Sequence, residues 1–130
     1  METTQVKMEA RAVQRYLRRS PRKVRLVADY VRGLNVQMAL DKLKFTNHAA
    51  ALDVSKVIRS AAANLKDRFQ DEPIEDENLK IKTITVDEGP TLKRIQPAPQ
   101  GRAHPIRKRS CHITVVVTAG STDNEQSEEK

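Results

Sequence analysis

The sequence predicts an α+β domain in which three consecutive helices precede two β-strands. Three observations predict it. Apolar residues recur at steps of three and four through the first half of the chain; Ile, Thr and Val dominate two short stretches in the second half; and a connection rich in proline and cations separates those stretches. The 130 residues suit one compact domain with extensions. We expect residues 1–119 to form a single domain that includes an extended hairpin over 87–109. Residues 120–130, GSTDNEQSEEK, carry no apolar side chain to bury and are expected to be a disordered acidic tail.

Ser20-Pro21 marks the first helix start, with serine at the N-cap and proline where its missing N–H costs nothing; Gly33 marks the stop. Between them Val24, Val27, Ala28 and Val31 make an apolar stripe, and Arg22, Arg25, Asp29 and Arg32 take the other side. Asn35 can cap a second short helix in which Val36, Ala39, Leu40 and Leu43 repeat the spacing, ending near Phe45. A third helix, from about His48 to Phe69, carries Ala51, Val54, Ile58, Ala61 and Leu65, with Ala50, Val57 and Ala62 widening the stripe. The acidic segment 70–78 with Pro73 ends it. Residues 79–86 and 110–118 read as strands. The sequence between them, DEGPTLKRIQPAPQGRAHPIRKR, has almost nothing to put in a core. If the strands pair antiparallel, it can continue them outward by about 30 Å, at roughly 3.3 Å per residue, with its turn near residues 97–101. Such an arm needs an anionic partner to order it.

Charge points the same way. Twenty-four Lys and Arg against seventeen Asp and Glu leave +7, which favours a polyanion. The positive charge sits in two blocks: residues 1–69 carry +9 and 91–119 carry +6, while 70–90 carry −5 and 120–130 carry −3. Arg11, Arg15, Arg18, Arg19, Arg22, Lys23 and Arg25 are expected around the start of the first helix, where helix amides and guanidinium groups suit phosphate. Lys93, Arg94, Arg102, Arg107, Lys108 and Arg109 make the second block, with no acid among them. With no Trp, two Phe and two Tyr, base stacking is not expected as the main mode; backbone and shape recognition of folded RNA fits better.

Catalysis has no footing: there is no Gly-rich phosphate loop and no nucleophile motif, and the acids cluster beside no base. His104, Cys111 and His112 lack the spacing of a metal site, so none is expected, nor any cofactor. Asp87-Glu88-Gly89-Pro90 reads as a turn with capping acids. Cys111, the single cysteine, has no internal disulfide partner, METTQVKMEA lacks a signal-peptide core, and no apolar run approaches the roughly 20 residues that span a bilayer. A cytoplasmic setting away from the membrane is expected.

Taken in order, SPRKVRLVADYVRG (20–33), KFTNHAA (44–50), SAAAN (60–64), VDEGPTLKR (86–94), GRA (101–103) and HITVVV (112–117) closely resemble the bacterial large-subunit ribosomal protein twenty-two family, over about residues 5–118. The resemblance implies three helices packed on a small three-stranded antiparallel sheet, the third strand being roughly Gln5 to Ala12. It further implies a structural constituent of the large subunit that binds its ribosomal RNA, contacts neighbouring ribosomal proteins, supports subunit assembly and lines the polypeptide exit tunnel. The tunnel-facing tip would comprise Leu92, Lys93, Arg94, Pro97, Ala98, Pro99, Gln100 and Gly101 and meet the nascent polypeptide. Where the family commonly reads Pro-Arg-Ala-Lys-Gly-Arg-Ala, this chain has Pro97-Ala98-Pro99-Gln100-Gly101-Arg102-Ala103, two cations fewer. The rival readings are a free-standing nucleic-acid-binding regulator that places the helix from Arg22 to Arg32 in a groove, which does not explain the long hairpin, and a protein-docking scaffold, which nothing in the apolar pattern demands.

Overall fold

The computed structural model describes residues 8–70 and 74–119. The acidic tail and the first residues of the implied N-terminal strand lie outside them. Among the described residues the order is β1 (Glu9–Leu17), α1 (Pro21–Val31), α2 (Val36–Lys44), α3 (Ala50–Arg68), β2 (Leu79–Glu88), β3 (Leu92–Pro97), β4 (Ala103–Lys108) and β5 (Cys111–Ala119). Strands β1, β5 and β2 form one antiparallel sheet with β5 in the centre, and β3 pairs only with β4 in a separate ladder.

The helices cover one face of the three-stranded sheet, α3 against β1 and β5 and α1 against β2. Period-two burial supplies the sheet side of the core: Cys111, Ile113, Val115 and Val117 from β5, Leu79, Ile81, Ile84 and Val86 from β2. The step from Ile81 to Ile84 is one residue too long for simple alternation, and the register shifts there, which returns the apolar side chains to the core face. The helical side comes from Val24, Val27, Ala28 and Val31 of α1, Val36, Ala39 and Leu43 of α2, and Val54, Ile58, Ala61 and Leu65 of α3. Asn35 caps α2, its side chain accepting from the Met38 amide at 2.8 Å, and Gly33 takes φ +82 to turn the chain between α1 and α2. Ser20 stands at the N-cap of α1, but its side chain makes no capping bond.

Two expectations need correction. Among the described residues the N-terminal strand runs Glu9–Leu17, past its expected end at Ala12, while the expected start at residues 5–7 lies outside them; Arg11 and Arg15 therefore belong to β1 and not to the start of α1. The hairpin is not a continuous extension of β2 and β5. Asp87 and Glu88 stay in strand, opposite His112 and Cys111, and the ladder breaks after them. At the break the Gly89 amide donates to Ser110 O at 2.9 Å, and Ser110 Oγ donates to Pro90 O at 2.6 Å. Proline has no N–H for the ladder, and the serine hydroxyl supplies the cross-connection instead. Beyond the break each arm has six paired residues, about 20 Å of strand.

Candidate nucleic-acid interface

The cationic runs over residues 11–25 and 93–109, more than 65 residues apart in sequence, meet at the hairpin base. A cleft of about 940 Å³ lies between the β1–α1 junction and the hairpin stem. Arg18, Arg19, Ser20 and Lys23 line one wall, Arg94, Arg107, Lys108 and Arg109 the other, and Tyr16, Pro90, Leu92 and Ser110 complete it. Among the described residues, seven that line it are cationic and none is acidic. Except for the half-buried Arg19, all seven cations are exposed. Facing cations held a cleft's width apart repel one another, and an intervening polyanion relieves that repulsion. The start of α1 opens on the same cleft through Ser20, where unpaired first-turn amides favour negative charge.

Several cations of the first block, Arg19 of the cleft among them, also hold the fold together. Arg25 reaches from α1 to β2 and donates through Nε and Nη2 to Val86 O at 3.2 and 3.0 Å. Arg19 pairs with Asp53 of α3. Arg32, the C-cap residue of α1, pairs with Asp29 and donates to Ile84 O at 2.7 Å. Arg11 is exposed on β1, and Arg15 lies with Lys56 beside a shallower depression between β1 and α3, away from the cleft. Arg22 is exposed on α1 but does not line the cleft.

On the hairpin, Lys93 pairs with Arg107, and Leu92 with Lys108. Leu92, Lys93 and Arg94 are therefore on the proximal rungs, next to the body, and not at the tip. The distal turn holds Pro97, Ala98, Pro99, Gln100, Gly101 and Arg102, closed by a bond from the Ala98 amide to Arg102 O at 2.7 Å, with Gln100 at φ +66 and Gly101 at φ +73. Every residue of both arms is exposed except Ile106, which is half-buried.

Below the cleft, His112 Nδ1 accepts the Tyr16 amide at 2.9 Å and its ring meets the Tyr16 ring edge to face. His112 is thus committed to holding β1. Cys111 is fully buried; burial pushes its thiol above the ordinary range and Asp53 adds to this, against the opposing pull of Arg25 and Arg19. His104 is exposed on β4. Among the described residues no group of three or more His, Cys, Asp and Glu side chains is placed to hold a metal ion, and no helix is long and apolar enough to cross a membrane.

The cleft residues that sequence reasoning missed are Tyr16, Ser20, Pro90 and Ser110, and with them the convergence itself. An exposed aromatic inside a cationic run was the available signal.

Residues 12–118 match the family described as ribosomal protein L22p/L17e. Three curated relatives, each named large ribosomal subunit protein uL22, are similar over most of both chains. That of Herpetosiphon aurantiacus is 51% identical over 87% of this chain and 97% of its own length. That of Maridesulfovibrio salexigens is 53% identical over 85% and 97%, and that of Fusobacterium nucleatum 49% identical over 85% and 97%.

Proposed function

Because the chain belongs to the ribosomal protein L22p/L17e family, we propose that its hairpin-base cleft is the principal seat of ribosomal RNA on this structural protein of the large subunit. The protein is a ribosomal constituent and not an enzyme. The observation that carries the reading is the convergence of seven cations from both blocks on one acid-free cleft. Each phosphate neutralised there releases condensed counterions, and two walls from different elements grip a folded RNA backbone that neither would hold alone. Arg11, Arg15, Arg22, Lys93 and Arg102 extend the positive surface beyond the cleft. Residues 1–119 act as one RNA-binding unit, and the acidic residues 120–130 contribute no phosphate contacts.

Hairpin side chains are exposed along nearly the whole length of both arms, and about 20 Å of two-stranded ladder buries almost none of them. Surrounding RNA supports the ladder, and the distal turn at 97–102 reaches the exit-tunnel wall, where it meets the nascent polypeptide. With Ala98 and Gln100 in place of two cations, the tip offers passing chains a more neutral surface. Restoring charge by Ala98→Arg with Gln100→Lys changes sensitivity to tunnel-binding drugs and nascent-chain stalling; unchanged behaviour counts against tunnel lining by this tip.

Sedimentation of a tagged copy through a high-salt wash tests the reading as a whole. Retention on the large subunit supports it, because salt strips loosely held cations from RNA. A protein that runs free favours the regulator.

A further inference from the structure

We infer that Tyr16 is a stacking platform for one unpaired nucleobase of the ribosomal RNA held in the cleft. The inference rests on the RNA reading above and adds a mode of contact that cation placement does not require. Tyr16 sits in the bulge of β1 between Gln14 and Leu17 at φ +59, a backbone angle that L side chains rarely adopt. Its conformation is held by its amide bond to His112 Nδ1 and by the His112 ring, 5.0 Å between centroids at 86°. The bulge spends local strain to aim an aromatic side chain outward, and the residue remains 64% exposed.

The surroundings favour a base over a bare anion. Among the described residues Tyr16 is the only aromatic lining the cleft, and Pro90 and Leu92 give it further apolar surface. Phosphate alone gains nothing from such walls. A nucleotide with its base extruded presents both a flat apolar face and a flanking phosphate, which suit the Tyr16 ring and the nearby Arg18 and Lys23. Tyr30 and Phe45, although also exposed, belong to α1 and the end of α2 and do not line the cleft.

The chain has no Trp and two Tyr, so Tyr30→Phe leaves Tyr16 as the sole strong emitter while preserving the ring under the Lys42 ammonium. The tyrosine fluorescence lifetime of this variant is measured on titration with purified large-subunit ribosomal RNA and, separately, with inorganic polyphosphate, binding being followed in parallel by filter retention. The expected result is binding of both, with the lifetime shortened by RNA at least about twofold and left unchanged by polyphosphate. Tyr16→Phe then binds RNA within about twofold of the parent and Tyr16→Leu about tenfold more weakly, at unchanged thermal midpoints. RNA binding with an unaltered lifetime, equal shortening by polyphosphate, or undiminished binding by Tyr16→Leu overturns the inference and leaves the RNA reading standing. Absence of RNA binding by the parent overturns both. If the Tyr16 variants fail to fold, the lifetime measurement on the Tyr30→Phe protein still decides.

Discussion

Replacing Gly89 with alanine probes the junction that sets the hairpin against the body. A Cβ at this position lies 2.7 Å from Ser110 Oγ and 3.2 Å from both Cε1 and Nε2 of His112. Neither neighbour yields freely, since Ser110 Oγ holds Pro90 O and the His112 ring holds the Tyr16 amide. Rotating the hydroxyl away loses one hydrogen bond, about 1 kcal/mol. Shifting the ring costs about 1–2 kcal/mol more, and alanine returns about 0.4–1 kcal/mol by restricting the unfolded chain. The net loss is about 1–2.5 kcal/mol, which lowers the thermal midpoint by roughly 4–10 °C. Circular dichroism melts and urea titrations read it directly. Combining Gly89→Ala with Ser110→Ala removes the 2.7 Å contact, so the two substitutions fall short of additivity by about 1 kcal/mol. An alanine variant as stable as the parent, or two substitutions that simply add, refutes this account of the junction.

Three other perturbations separate structural cations from RNA-facing ones. Arg25→Gln loses both donors to Val86 O and costs about 1–2 kcal/mol in urea unfolding, whereas Arg22→Gln, one turn away and exposed, stays within about 0.5 kcal/mol of the parent. Asp53→Asn breaks the pair with Arg19, whose carboxylate side is 16% exposed; stability falls by about 1–2 kcal/mol. In the same variant RNA affinity rises, because Arg19 then offers its full charge to the cleft, as filter binding measures. Cys111 makes stability fall at high pH. Its ordinary value is 9.0 and burial raises it in the native state, so above about pH 9 the unfolded chain loses its thiol proton first and gains stability relative to the fold. Unfolding titrations between pH 7 and 10.5 show a decline in the parent that Cys111→Ala lessens.

The helices were legible because each carries local signals. The stripe of Val24, Val27, Ala28 and Val31, the Asn35 cap and the positive φ of Gly33 all follow from neighbours in sequence. Strand β1 was not legible from its own residues. Its buried positions are Ala10, Ala12 and Leu17, two of them small, and the bulge at Tyr16 breaks the period-two pattern before it can be recognised. The resemblance supplied the strand but ended it at Ala12, five residues short of Leu17. Charge density located both cationic blocks, yet could not divide cations that grip the protein from those that face the cleft. The acceptors of Arg19, Arg25 and Arg32 lie 34, 61 and 52 residues away and exist only once α1 has packed against α3 and β2. The break in the hairpin was hidden for a related reason: proline and glycine announced irregular backbone, but the Ser110 bond that fixes it comes from the returning strand.

The central claim is that body and hairpin act on RNA as one surface, and the salt dependence of binding to purified large-subunit ribosomal RNA tests it most directly. The slope of log affinity against log salt falls by about 0.7–0.9 for each phosphate contact removed. Lys23→Gln on α1 and Arg107→Gln on β4 should therefore each lower the slope by nearly one unit, and the pair by about twice that. A slope left unchanged by either substitution would mean that the wall carrying it does not touch the RNA backbone, and the single-cleft account would fail.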